Sequence, residues 1–190
     1  VEDPDLARRY LLAEAQILRD AERPTEALAL LDAALRENPE DTGLLYEAAM
    51  LAERIGRMDL LEARLRRVLE LQPDHAHALN ALGYSLADRG LRLDEAEALI
   101  ARAHALMPQD PFILDSLGWV RFRRGDQVGA LVHLERAYGM RKDAEIAAHL
   151  GEVLWTLGRR DEARRIFAEA LAAHPDNRLL TDTGRRLGIQ

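Results

Sequence analysis

Apolar side chains recur at helical spacing along most of the chain, and residues 144–177 show the pattern well. In the first half of this segment they return every three or four positions, as on one face of an α-helix. Gly158 follows, a residue that readily adopts the left-handed conformation that ends a helix. Asp161 is placed to cap a second helix, which runs towards Pro175. The two stripes are Ile146, Leu150, Val153, Leu154 and Leu157, then Ala163, Ile166, Phe167, Ala170 and Leu171. The segment therefore predicts two helices joined by a short turn.

This two-helix pattern repeats about every 34 residues, since Pro39, Pro73 and Pro108 are separated by 34 and 35 residues. Leucine–glycine pairs recur in the same register, and a second glycine follows each pair seven residues later. The paired and following glycines are Gly83 and Gly90, Gly118 and Gly125, and Gly151 and Gly158. Small residues at such positions let the two helices of a repeat approach closely. Five repeats are predicted, at 8–41, 42–75, 76–110, 111–143 and 144–177.

The remaining residues are expected to extend and close this array. Residues 4–7 are expected to lengthen the first helix, with Pro4 at its start. Residues 178–190 predict a capping helix, because a repeat array needs a polar outer end. The side chains expected to face the last repeat are Leu179, Leu180, Thr183 and Leu187. The second repeat departs from the pattern, with Leu61 where the others have alanine.

With this period, the leucine–glycine pairs, the recurring alanines and the prolines, the chain resembles the tetratricopeptide repeat family. The resemblance covers about residues 8–177. It implies an all-α fold, a right-handed superhelix in which the first helix of each repeat lines a concave groove. It also implies a scaffold that binds other proteins and is not an enzyme.

Composition and charge exclude several classes of function and of binding site. Hydrophobic residues make up 48% of the chain and the formal net charge is −7, which disfavours non-specific binding to nucleic acid. The chain has no cysteine, which excludes thiolate zinc sites. It shows no catalytic motif, and His75 and His77 are two residues apart, a spacing that puts them on different faces of a helix. We expect no catalytic residues, metal or cofactor, and no buried, converging polar cluster of the kind that an enzyme needs.

The resemblance also implies which residues face the groove. Six of the nine aromatic residues fall at the groove-facing positions of the family, and acidic side chains surround them. Tyrosine, tryptophan and methionine are the types that anchor protein interfaces. The predicted groove residues are Tyr46, Met50, Asn80, Tyr84, Asp115, Trp119, Phe122, His149, Glu152 and Trp155. The expected ligand is an apolar, neutral-to-basic segment of another protein, extended or helical. These aromatic side chains could alternatively pack between neighbouring helices and touch no partner.

Residues 80–88, 113–120 and 145–155 are similar to proteobacterial envelope proteins of this family, often outer-membrane lipoproteins that act as adaptors. This similarity implies a bacterial protein at the periplasmic face of the envelope, with an envelope protease or its substrates as partners. A cytoplasmic location stays open, and so does a self-associating structural element or homodimer. No apolar run reaches the roughly 20 residues that a membrane span needs. The first residue is Val1, so we expect a processed or longer natural chain.

Overall fold

The computed structural model of the protein describes residues 4–189, and within this range it contains eleven α-helices and no strand. The helices are α1 (Pro4–Asp20), α2 (Pro24–Glu37), α3 (Thr42–Arg54), α4 (Met58–Leu71), α5 (Ala76–Asp88), α6 (Leu93–Leu106), α7 (Pro111–Arg123), α8 (Gln127–Met140), α9 (Ala144–Thr156), α10 (Arg160–Ala173) and α11 (Arg178–Leu187). The all-α prediction is confirmed. Among the described helices, none combines the length and the apolar character needed to cross a bilayer.

Helix starts fall where the sequence places the repeats. The helices α3, α5, α7 and α9 begin at residues 42, 76, 111 and 144, and α11 begins at residue 178. Helix α1 begins at Pro4, as expected for a lengthened first helix. By packing, the chain divides into two compact units, one ending at Leu82 and the other beginning at Gly83, inside α5. That the five repeats form a single array stays a prediction, and the two units are described separately.

The first unit buries an apolar core between α1, α2, α3 and α4. Ala27, Leu31 and Ala48 are completely buried there. Leu61 and Leu65 of α4 are also completely buried, although Leu61 takes the place of a small residue in the repeat pattern. Arg64 of α4 crosses to the previous repeat, where its guanidinium lies 2.5 Å from the carboxylate of Asp32. The second repeat thus accommodates its larger side chain inside a closed core.

The second unit has a core in which each repeat's two helices touch closely. A Cβ atom built on Gly118 would lie 2.6 Å from Cγ of Leu134, and one on Gly151 would lie 2.3 Å from Cε2 of Phe167. Real Cβ atoms essentially never approach other atoms so closely. Glycine is therefore required at these two positions by the space between the helices, as the leucine–glycine pattern predicts.

Most helix ends have the features that the sequence predicts. Gly158 has φ of +79°, the left-handed conformation predicted for it. Several helices begin with a polar residue whose side chain accepts a hydrogen bond from the first turn, which stabilises each helix by roughly 0.5–2 kcal/mol. These caps are Asp41, Asp110, Asp126, Asp143 and Asn177. The cap predicted at Asp161 is wrong, because α10 already begins at Arg160 and Asp161 lies in its first turn.

Helix α11 packs against α9 and α10. Leu180 is completely buried and Thr183 is 5% exposed, as expected for residues that face the last repeat. The expectation for Leu179 is wrong, since this side chain is 41% exposed. One residue on a helix turns the side chain by about 100°, so Leu179 points away from the face that Leu180 presents to the core.

Candidate functional site

The first helices of the repeats position every residue predicted to face the groove. In the first unit, Tyr46 and Met50 lie on α3 and are partly exposed. The ring of Tyr46 stacks on the ring of His75, with centroids 5.3 Å apart. Burial, together with the charges of Glu47 and Glu53, raises the pKa of Tyr46. The phenol therefore stays neutral and is suited to packing and hydrogen bonding.

Asn80, on α5, is also part of the first unit and is partly exposed. Its amide oxygen is buried and finds no hydrogen-bond partner among the described residues. Burying a hydrogen-bond acceptor without a partner costs free energy. The amide oxygen of Asn80 is therefore suited to accept a hydrogen bond from a ligand.

In the second unit, three predicted groove residues and Glu145 contact one another and form one group. This group, here called the polar cluster, consists of Tyr84, Asp115, Glu145 and His149. The side chains of Asp115 and His149 are only 5% and 4% exposed. Nδ1 of His149 lies 3.0 and 2.9 Å from the two carboxylate oxygens of Asp115. The hydroxyl of Tyr84 donates to Oε1 of Glu145 at 2.5 Å and lies 3.5 Å from Nε2 of His149. The cluster therefore links α5, α7 and α9, the helices that carry these predicted groove residues.

The groups of the polar cluster shift one another's pKa values. Burial opposes a charged imidazole, but the charge and hydrogen bond of Asp115, with the charges of Glu145 and Asp88, outweigh it and raise the pKa of His149. Burial also raises the pKa of Glu145, although Tyr84 and His149 act in the opposite direction. Burial and the neighbouring Glu145 raise the pKa of Tyr84. These directions favour the charged form of the His149 imidazole beside Asp115 and the neutral forms of Glu145 and Tyr84.

Trp119 extends the polar cluster towards the surface of α7. Its indole ring stacks on His149 with centroids 4.1 Å apart and an interplanar angle of 18°. The indole N–H donates to Oδ1 of Asp88 at 3.3 Å. Phe122 lies against the same indole, at a centroid distance of 5.3 Å, and is partly exposed. Trp119 itself is 6% exposed, so most of its surface contacts its own chain.

Two predicted residues of α9 lie towards the end of the second unit. Trp155 is partly exposed, and the guanidinium groups of Arg160 and Arg164 lie 5.1 and 5.5 Å from its ring centroid. Glu152 is bound by Arg186 of α11 through two hydrogen bonds of 2.8 and 2.6 Å. Its side chain is only 12% exposed, so Arg186 takes up much of its charge.

The structure thus separates the predicted residues into two kinds. Asp115, Trp119 and His149 are buried and bind one another, and His149 is already occupied by Asp115. The other predicted residues keep some exposed surface: Tyr46, Met50, Asn80, Tyr84, Phe122, Glu152 and Trp155. Two further contributors, Glu145 and Asp88, belong to the acidic side chains that were expected around the groove aromatic residues. The signal for the central pair was present in the sequence, because Asp115 and His149 are 34 residues apart, one repeat period.

The expectation that no buried, converging polar cluster exists is wrong, because Asp115 and His149 are buried and are linked to Tyr84 and Glu145. A nucleophilic hydroxyl needs a lowered pKa or a free neighbouring base. The Tyr84 pKa is instead raised, and its proton is held by Glu145. His149 donates to Asp115 and is almost completely buried. Among the described residues, no group of three or more histidines and carboxylates is arranged to hold a metal ion.

Comparisons with known proteins agree with the repeat pattern. Two family models described as Tetratricopeptide repeat match the chain, one over residues 12–60 and 62–111 and the other over residues 121–181. A TPR repeat-containing protein of Pseudomonas aeruginosa is 45% identical over 151 residues. The match covers 80% of this chain and 26% of that protein, so the chain spans about a quarter of the relative's length.

Solved structures show the same fold. A thermophilic TPR protein of Thermus thermophilus superposes with a TM-score of 0.78 at 24% identity, covering 95% of this chain and 96% of that one. The pilF protein of Pseudomonas aeruginosa gives 0.73 at 18% identity, covering 96% and 91%. MamA of Desulfovibrio magneticus gives 0.70 at 18% identity, covering 90% and 96%. At these identities the similarity is one of fold.

Proposed function

Since this chain belongs to the tetratricopeptide repeat family, we propose that it binds a segment of another protein on the first helices of its repeats. Proteins of this family are in general non-catalytic scaffolds for protein interactions. The finer proposal is a segment with apolar anchors and neutral-to-basic character. The observation that carries it is the set of partly exposed aromatic side chains on these helices, Tyr84, Phe122 and Trp155.

Neighbouring side chains hold two of these aromatic rings in place, and this favours a binding role. Tyr84 is held through its hydroxyl by Glu145, and Phe122 rests on the buried Trp119. Aromatic side chains that are already fixed lose little conformational entropy when a ligand binds, so they contribute more of their contact energy to affinity. In this proposal the polar cluster fixes the surface, and the exposed aromatic rings make the contacts.

The charge of the surroundings favours a basic ligand. Asp88, next to Trp119, exposes 55% of its side chain, although Arg123 lies 3.9 Å from it. Glu145 is partly exposed and accepts a hydrogen bond from the hydroxyl of Tyr84. Acidic side chains around apolar anchors favour ligands with lysine or arginine beside their apolar residues.

The test uses peptides, because the partner is unidentified. A phage-displayed library of random peptides is selected against the whole chain, and the affinity of an enriched synthetic peptide is measured by titration calorimetry. We expect enrichment of sequences that combine apolar and basic residues. Replacing Phe122 and Trp155 together by alanine should weaken binding by roughly 30-fold or more, the loss typical of interface anchors at about 2 kcal/mol or more.

The matched control replaces Val128 and Val132 of α8 by alanine, because these side chains are 70% and 63% exposed on a second helix. That variant should bind with unchanged affinity. Circular dichroism checks that both variants keep their helices. Equal binding by the Phe122 and Trp155 variant and the wild type would refute the assignment of the surface, and so would a selection that enriches no peptide.

For the location, we propose the periplasmic face of the bacterial envelope, with an envelope protease or its substrates as partners. This proposal is supported by the similarity of residues 80–88 and 113–120 to envelope proteins of the family, and a bacterial relative is consistent with it. Fractionation of cells that express the natural full-length protein tests the location. Recovery in the cytoplasm alone would exclude it.

A further inference from the structure

One buried histidine contacts the side chains that carry two of the three exposed aromatic rings of the proposed peptide surface. His149 lies on α9 and is almost completely buried. Its ring stacks on Trp119 with centroids 4.1 Å apart, and Phe122 lies 5.3 Å from the same indole. Its Nε2 atom lies 3.5 Å from the hydroxyl of Tyr84. The imidazole therefore lies behind two rings, Tyr84 and Phe122, that are proposed to contact the ligand.

The charge of this imidazole decides how it can bind its neighbours. A charged imidazole carries a proton on both nitrogens, whereas a neutral one carries a proton on only one of them. In the charged form, Nδ1 donates to the carboxylate of Asp115, and Nε2 presents a donor to the hydroxyl oxygen of Tyr84. In the neutral form that still donates to Asp115, Nε2 becomes an acceptor and competes with Glu145 for the proton of Tyr84. The loss of one proton therefore changes the hydrogen bonding of Tyr84.

The same proton acts on the two residues of α7 that lie behind Phe122. A charged imidazole stacked on an indole gains a cation–π attraction that a neutral ring lacks, and this favours the present position of Trp119. The charge also compensates the carboxylate of Asp115, which is buried. A buried carboxylate that loses its opposite charge is strongly unfavourable. The charged imidazole thus stabilises the arrangement of Asp115 and Trp119 against which Phe122 rests.

The charged and titratable groups around His149 come from three helices. On α5, α7 and α9 these groups are Tyr84, Asp88, Asp115, Arg123 and Glu145. The guanidinium of Arg123 lies beyond the indole, 5.6 Å from the ring centroid of Trp119. Burial opposes the charged imidazole, but the carboxylates outweigh it and raise the pKa of His149. The imidazole therefore loses its charge above the ordinary pKa value of 6.5.

We propose that His149 is a positioning residue of the peptide surface, whose protonated form holds Tyr84 and Phe122 in the arrangement that binds the ligand. This inference rests on the proposed function, because the ligand is the same apolar and basic segment. The charge of His149 is paired with Asp115, so it opposes a basic ligand only weakly. A ligand that prefers the protonated form also favours protonation, because the coupling is reciprocal. Binding should therefore take up a proton, and affinity should fall as the pH rises through the pKa of His149.

Calorimetric titration of the whole chain with an enriched peptide tests the coupling from about pH 6 to about pH 9. The peptide carries arginine as its basic residue and blocked termini, so its own charge is constant over this range. The wild type should lose affinity by about fivefold or more as the pH rises. Titrations in buffers of different ionisation enthalpy should show proton uptake on binding. Loss of the proton of Glu145 would instead strengthen binding of a basic peptide, so the two groups act with opposite sign.

Two variants separate the charge of His149 from a purely structural role. Asp115→Asn keeps the imidazole and removes the charge that stabilises its protonated form, so the midpoint of the affinity loss should move to lower pH. His149→Asn keeps an N–H donor one bond from Cγ but cannot titrate, so its affinity should not fall over this range. The matched control is His133→Gln on α8, outside the polar cluster, where burial and neighbouring positive charges lower the pKa of the histidine. This control should follow the wild-type profile.

One measurement needs no variant, because NMR follows the assigned imidazole of His149 in the wild type. Its titration midpoint should move to higher pH when the peptide is bound. An unmoved midpoint, or binding whose affinity is independent of pH, would overturn this inference and leave the proposed function standing. An affinity that falls equally in His149→Asn would assign the proton to another group. A selection that enriches no peptide would overturn the inference and the proposed function together.

Discussion

Gly118 offers a quantitative test of the packing between paired helices. A methyl group added at this position would lie 2.6 Å from Cγ and 3.1 Å from Cδ2 of Leu134, and 3.1 Å from the carbonyl oxygen of Ala130. Leu134 is completely buried, so its branched side chain has little room to move aside. Gly118→Ala should therefore force α7 and α8 apart.

The expected magnitude has two parts of opposite sign. Overpacking of this kind costs typically about 1–3 kcal/mol. Replacing glycine by alanine inside a helix contributes about 0.5–1 kcal/mol of stability, because alanine loses less backbone entropy on folding. The matched control is Gly139→Ala on α8, where an added Cβ meets no atom within 4 Å. The control has only the favourable part, so the two variants should differ by about the overpacking term, 1–3 kcal/mol.

Thermal and urea unfolding followed by circular dichroism measure this difference. For a chain of this size, 1 kcal/mol corresponds to a change of about 2–4 °C in Tm, so the two variants should differ by about 2–12 °C. Gly139→Ala should be at least as stable as the wild type, and Gly118→Ala should be less stable. If Gly118→Ala were as stable as Gly139→Ala, the close approach of α7 and α8 would be refuted.

The remaining predictions concern charge. Because the folded-state pKa of His149 is raised above its ordinary 6.5, its stabilisation is complete below about pH 6.5 and is lost as pH rises through the folded-state pKa. The free energy of unfolding of the wild type should therefore fall over this range, relative to His149→Gln, in urea titrations at several pH values; parallel curves would contradict a charged His149. Peptide affinity should also fall with added salt, because exposed charges are screened, and an affinity independent of salt would exclude recognition through Asp88 and Glu145.

The sequence is sufficient to predict the helices and their order. Glycines such as Gly118 and Gly151 recur because the close approach of two helices leaves no space for a side chain, and such a steric demand produces a visible period. Helix starts at Thr42 and Pro111 follow from the same period. The failure at Leu179 has a local cause, because the rotation of a short helix about its axis depends on packing that a sequence window does not contain.

The interactions of the predicted site residues could be predicted only in part. Tyr84, Asp115 and His149 were placed on first helices because the family pattern assigns positions. Their mutual bonds depend on side-chain rotamers and on contacts between residues 34 and 65 positions apart. The burial of Trp119 follows from those bonds, because a ring that stacks on His149 is covered by it. A position in a repeat therefore indicates a face of a helix, and neighbouring side chains decide whether the residue is exposed.

The polar cluster has a consequence for how this chain tolerates the gain and loss of repeats. In a repeat array each unit contacts its neighbours, and stability is approximately the sum of the units and of these interfaces. The cluster is not confined to one such interface, because it takes Tyr84, Asp115 and His149 from three successive units. Deleting residues 111–143 would remove Asp115 and leave His149 without the carboxylate that binds it. Adding or removing a repeat within residues 76–177 would therefore break this cluster.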